Sequence, residues 1–155
     1  MDAYLIIKTI HILSSTILFG TGIGIAFFML RTMFTQNIHE KYYAIKNTVL
    51  ADNIFTLPAV IIQPLSGITL IAMGQYNWAD FWLICTYALY LIAGLCWLPV
   101  VWLQIQMRNM IRKCIASGEA LPARYFRFFK IWFMLGWPAF ISLTCIFYLM
   151  VAKPS

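Results

Sequence analysis

Charge is what this chain has least of. Only five of its 155 residues are acidic and 10% are charged in all, against about 25% in soluble domains. That shortage excludes an ordinary water-soluble core-and-surface design. Histidine is nearly as scarce, with two in the chain, and only His11 lies inside an apolar run. No G-x-S-x-G, Walker loop or H-E-x-x-H occurs, so the common hydrolase, nucleotidase and zinc-protease constellations are excluded. The four cysteines Cys85, Cys96, Cys114 and Cys145 never fall as C-x-x-C, and they read as small buried hydrophobes. The N-terminus has neither a basic n-region nor a small-x-small site behind a short apolar core. Its first apolar run therefore reads as a retained span and not as a signal peptide.

What the chain has in abundance is apolar surface, 63% of its residues. These residues fall in four long runs, the mark of a polytopic membrane protein. The expected spans cover about residues 4–30, 54–73, 81–105 and 128–151, in a single all-α domain over residues 1–155, a four-transmembrane-helix bundle. Polar loops are expected over 31–53 and 106–125. Asp52 or Asn53 reads as the cap of the second span and Asp80 as the cap of the third. Gly20, Gly22 and Gly24 give the first span a small-residue face suited to close helix packing. Pro64 predicts a kink with Gln63 bonding across the bundle, and Trp78 and Trp82 read as an interfacial belt.

The net charge of +6 does not point to nucleic acid, because the basic residues cluster in short segments beside the spans. Arg31, Lys41, Lys46, Arg108, Arg112, Lys113, Arg124, Arg127 and Lys130 share one face, and Lys8 and Lys153 the other. Nine against two places both long loops in the cytoplasm and both termini outside, in the bacterial inner membrane. The basic collar suits anionic lipid headgroups.

Ionisable groups at membrane depth are costly, so their default reading is functional. Helical spacing sets Lys8, His11, Ser15 and Gly22 on one stripe of the first span. His11 falls roughly 10 Å inside the outer end. Neutral imidazole suits iron, and its second N–H needs a fixed acceptor, for which Ser14, Ser15 or a carbonyl of another helix qualifies. Lys8 lies shallower, placed to pair with a haem propionate. Ser66, Tyr87, Thr144 and Tyr148 come at matching depth, and Gln63 is a further ligand-facing candidate. The expected cofactor is haem b, with His11 the metal ligand and His11, Lys8, Ser15, Gly22, Gln63 and Tyr87 the binding residues. No catalytic residue stands out. A non-catalytic subunit or scaffold with a structural Lys8–His11 pair, and copper handling, are the alternatives. Membrane lipids are the expected partners, while a quinone or other redox partner and a homodimer stay open.

Four stretches carry a family resemblance over nearly the full length: Gly20 to Arg31, Pro58 to Gly67, Leu98 to Gln104, and Leu135 to Ala139. On them the chain resembles the bacterial integral membrane proteins of domain of unknown function 2269, which implies a membrane fold and no particular activity. The Lys8-x-x-His11 opening and the four-span layout also resemble HemJ-type protoporphyrinogen oxidases and copper-resistance D membrane proteins. That second resemblance implies haem binding at His11 with Lys8 beside it. Thr86 and Cys96 stand where those oxidases have a third-span lysine and histidine, so porphyrinogen oxidation itself does not carry over.

Overall fold

The computed structural model describes residues 2–154, which form helices and short connections with no strand among them. Helix α1 spans Ala3–Arg31, α2 Ile38–Ala51, α3 Leu57–Met73, α4 Phe81–Ser117 and α5 Ala123–Ala152. A π-helical turn, Asp52–Thr56, joins α2 to α3, so Ile38–Met73 runs on as one 36-residue rod. Four helical rods are thus long and apolar enough to cross a membrane. At 1.5 Å per residue the α2–α3 rod and α4 each reach about 54 Å. That far exceeds a hydrocarbon core of about 30 Å.

The excess length corrects both expected loops. Residues 38–51 and 106–117 are helical, because leaving the hydrocarbon does not by itself end a helix, and 106–117 is rich in the helix formers Lys, Arg, Gln and Met. The start of α2 is set by Asn37, whose side chain accepts from the His39 N–H at 2.9 Å, with Glu40 in the first turn. Gly118 ends α4 in the left-handed region at φ +73, its N–H on the Cys114 carbonyl, a conformation that favours glycine. Lys41 is buried, and its ammonium donates to the Thr32 carbonyl at 2.5 Å. A cation at the end of α1 complements the helix dipole there.

Asp52 does not cap a helix start. It lies inside the rod, buried, at the first position of the π turn. Pro58 has no N–H to offer the Ile54 carbonyl, and just upstream the Leu57 N–H bonds Asp52 five residues back. Asp80 does stand at the start of α4, but its side chain makes no capping bond.

Helix α4 packs along α5, α1 along α3, and α2 along α4. The main core sits at the basic end, where Met29, Ile45, Met107, Ile111, Tyr125 and Trp132 interlock. Toward the termini only a small cluster of Ile71, Trp82 and Leu83 forms. Trp82 is buried in that cluster and does not face an interface, whereas Trp78 is exposed. The glycine face of α1 meets no neighbour: a Cβ at Gly20, Gly22 or Gly24 would touch nothing within 4 Å. The expected close packing there is not made within the chain.

Candidate functional site

Helix α1 meets α3 through a ladder of polar contacts centred on His11. Gln63 Nε2 donates to the His11 carbonyl at 2.8 Å and also to the Ser14 hydroxyl. Ser14 in turn donates to the same His11 carbonyl at 3.1 Å. Buried polar groups need such partners, most of all in lipid. The kink residue explains a third bond. Pro64 cannot donate to Val60, four residues back, and the Tyr90 hydroxyl of α4 fills the freed carbonyl at 2.6 Å.

The imidazole itself bonds Ser66, not Ser14 or Ser15: His11 Nδ1 lies 2.8 Å from Ser66 Oγ. Ser15 instead donates to the Ile12 carbonyl of its own helix. The single hydroxyl proton of Ser66 is directed at the Ile62 carbonyl, 2.6 Å away, as helix serines commonly do. In the tautomer that matches this arrangement Nδ1–H donates to the Ser66 oxygen and Nε2 keeps the lone pair. Nε2 makes no hydrogen bond, and it is not among the polar atoms sealed from solvent without a partner. Gly67 lets α3 approach the ring closely, since a Cβ there would sit 3.4 Å from His11 Cε1.

The ring borders a cavity of about 540 Å³ between α1, α3, α4 and α5. Its walls are mainly aliphatic and aromatic, with Leu83, Tyr87, Ile146 and Met150 facing His11, Ser15 and Gln63 across the space. Phe19 lies toward the basic end and is stacked on Phe140 at 5.0 Å and edge-on to Phe147 at 5.3 Å. Toward the termini the lining becomes polar: Tyr4, Lys8, Tyr76 and Lys153. Lys153, in the left-handed region at φ 42, caps α5. Its ammonium donates to the Tyr76 hydroxyl at 2.7 Å and lies 4.4 Å from that ring's centre. This contact, followed by the Tyr4 hydroxyl, holds the Tyr76 phenol below its ordinary value. Lys8 lies 5.9 Å from the centre of the Tyr4 ring.

Five of the six expected site residues therefore line one space: His11, Lys8, Ser15, Gln63 and Tyr87. Gly22 does not, being exposed and outside the lining. Thr144 bonds the Phe140 carbonyl of its own helix and Tyr148 points outward, both exposed. Met150 of α5 also lines the cavity, whereas Met73 at the end of α3 does not. Sequence reasoning missed Tyr76 and Lys153. The available signal was that Lys8 and Lys153 are the only basic residues on their face. Among the described residues no group of three or more His, Cys, Asp or Glu could hold a metal ion.

The fold defines an integral membrane protein of four long apolar helical rods with a cavity between them. The chain belongs to the family of predicted integral membrane proteins described as DUF2269, whose model matches residues 5–154. No curated protein and no solved structure matches it.

Proposed function

We propose that this protein is a b-type haem-binding protein of the bacterial inner membrane, working in electron transfer or a haem-associated oxidation. The observation that carries the proposal is the placement of His11: its Nδ1 lies 2.8 Å from Ser66 Oγ and its ring borders an apolar cavity. A histidine oriented through its other nitrogen is the usual form of a metal ligand. Several features fit the group. A volume of about 540 Å³ lies within the roughly 300–1,000 Å³ of small-molecule sites. The lining is apolar around His11 and cationic at Lys8 and Lys153, which suits a flat apolar body with anionic edges. His11 would hold the iron, Met150 offers a thioether lining the same cavity, and the two lysines would neutralise carboxylates. A bound haem supplies one-electron redox chemistry, and the protein's part is orientation and tuning. The likeness of the Lys8-x-x-His11 opening to the HemJ-type oxidases points the same way, and a quinone is a fitting redox partner.

The second reading, a non-catalytic subunit with a structural His11, rests on the bonds by which Gln63, Ser14 and Ser66 already tie α1 to α3. Copper handling has less support, because no cluster of soft or imidazole ligands accompanies His11 among the described residues. Absorbance of the detergent-purified protein from haem-replete cells separates these readings. The haem reading expects a Soret band that His11→Ala removes while the variant still folds. A colourless wild-type protein, or a His11→Ala protein that keeps its colour, refutes it. Lowered thermal stability in a colourless His11→Ala protein supports the scaffold instead.

A further inference from the structure

Helix α4 presents one row of side chains outward. Leu91, Leu95, Leu98 and Trp102 are all exposed, and their spacing of four, three and four puts them on one face. The row covers about 16 Å, the depth of one leaflet in a hydrocarbon core of about 30 Å. The same spacing carries it on to Gln106, Asn109 and Lys113, where its chemistry changes from apolar to amide and cation. These three line a pocket of about 140 Å³ between α4 and the start of α5, together with Met110, Arg124 and Phe128. Phe128 links the two stretches of the row. The Trp102 ring lies 5.6 Å from it, and the Arg124 guanidinium lies over it, 4.9 Å from its centre. Charge at this pocket is one-sided: Lys113 and Arg124 line it, and among the described residues no carboxylate does. Arg124 also stands in the first turn of α5, which holds no acidic residue and whose start no side chain caps. The helix dipole is positive there, so the guanidinium adds charge of the sign that end already carries. An anion relieves both.

We infer that this pocket binds the phosphate of an anionic phospholipid, with an acyl chain lying along the Leu91, Leu95, Leu98 and Trp102 row. Its volume is below the roughly 300–1,000 Å³ of sites that enclose a whole small molecule, so a headgroup fits while the rest of the ligand stays outside. Phosphate oxygens suit a guanidinium fork, an ammonium and amide N–H groups, which are the polar groups present. Two cations without a carboxylate favour a lipid of net negative charge. A zwitterionic headgroup would bring its own ammonium to a pocket that offers it no counter-charge. Basic pockets between spanning helices are a recurrent setting for anionic headgroups. The site lies at the other end of the rods from the His11 cavity and does not depend on what fills that cavity.

The test is thermal unfolding of the full chain in detergent micelles doped with phosphatidylglycerol or, at equal mole fraction, with phosphatidylcholine. Phosphatidylglycerol is expected to raise the midpoint saturably, and phosphatidylcholine is not. Lys113→Gln is expected to need about fivefold more phosphatidylglycerol for the same rise, and Lys113→Gln with Arg124→Gln roughly 30-fold more, from the usual worth of a basic residue beside anionic lipid. Arg112→Gln with Arg127→Gln removes the same charge from exposed positions outside the pocket and should keep the wild-type response. Should the pocket double variant fail to fold, Lys113→Gln alone carries the test. Equal weakening in the two double variants assigns the effect to the whole basic collar and overturns the site. An equal rise with either lipid, no rise at all, or a rise that the pocket variants retain in full overturns it too. Inorganic phosphate or glycerol 3-phosphate that matches the lipid's effect makes the ligand a free phosphate and overturns the lipid.

Discussion

At the basic end Ile45, Met107 and Ile111 keep no accessible surface and Tyr125 keeps 1%. Toward the termini the same four rods separate around about 540 Å³ of space. The difference follows from which helices touch. Helix α2 lies against α4 and bridges the α1–α3 pair to the α4–α5 pair. Beyond the π turn that bridge ends, and α3 reaches α4 through the Tyr90–Val60 hydrogen bond and the small Ile71, Trp82 and Leu83 cluster. In lipid the helices gain little by hiding apolar surface from one another, so van der Waals packing and interhelical bonds decide stability. One end is therefore a clamp and the other a slot. A ligand site is best placed where opening costs few packed contacts.

That contrast is most sharply tested by truncation. Met107→Ala in the clamp is expected to cost about 2–5 kcal/mol, since a fully packed site cannot collapse around the void. Ile146→Ala, on the slot wall, is expected to cost about 1 kcal/mol or less, because its surroundings are already open. Denaturant or thermal unfolding in detergent measures both. Equal costs would mean that the slot is as well packed as the clamp.

A smaller effect concerns the slot's chemistry. Ser66→Ala removes the acceptor that fixes the His11 tautomer, and losing such an orienting partner typically weakens metal affinity about 10–100-fold. Haemin titration of the purified protein reads this, with His11→Ala as the reference for complete loss. Unchanged affinity in Ser66→Ala would mean that the ring is oriented by packing against Gly67 alone. Next comes the Tyr90–Val60 bond. Tyr90→Phe leaves a carbonyl unsatisfied in the bilayer and should cost about 1–3 kcal/mol. Pro64→Ala restores the missing N–H, so in that background the Tyr90→Phe cost should fall to a few tenths. Additive costs would show that Tyr90 acts through its ring and not its hydroxyl.

The clamp was less legible in the sequence than the slot. Hydropathy detects the lipid slab, so all four rods and their order were readable while the helical extensions at residues 38–51 and 106–117 were not. Asp52 carried the pattern of a helix cap. Only tertiary burial, with Gln104 and Trp97 brought up from a rod some fifty residues away, makes it a buried acid inside the rod. His11, Lys8, Ser15, Gln63 and Tyr87 do share one cavity, because helical spacing and depth are local quantities. Ser66 was placed at the right depth, but which hydroxyl meets the ring depends on how α1 and α3 rotate against each other. Gly22 failed for the same reason: it is seven residues beyond Ser15, and that stripe of α1 leaves the cavity before reaching it.

The smallest expected effect lies at the mouth of the slot, where Lys153 donates to Tyr76. Tyr76 is outside the helices and half-buried, but its bond to Lys153 is exposed, so the interaction is screened and adds little stability. It is visible in titration all the same. The nearby ammonium favours the phenolate, so Tyr76 should ionise ahead of the other tyrosines. The sign follows: because its folded value is depressed, the pair stabilises the fold most above the ordinary tyrosine value of about 10. That contribution is lost as pH falls through the depressed value. Ultraviolet titration of the folded protein should show one early tyrosinate component that is absent in Tyr76→Phe and moves upward in Lys153→Met. If a carboxylate ligand enters the slot and recruits Lys153, the component should move upward on its addition to the wild type as well. An early component insensitive to Lys153→Met would remove Lys153 from the mouth and leave Lys8 as its only cation.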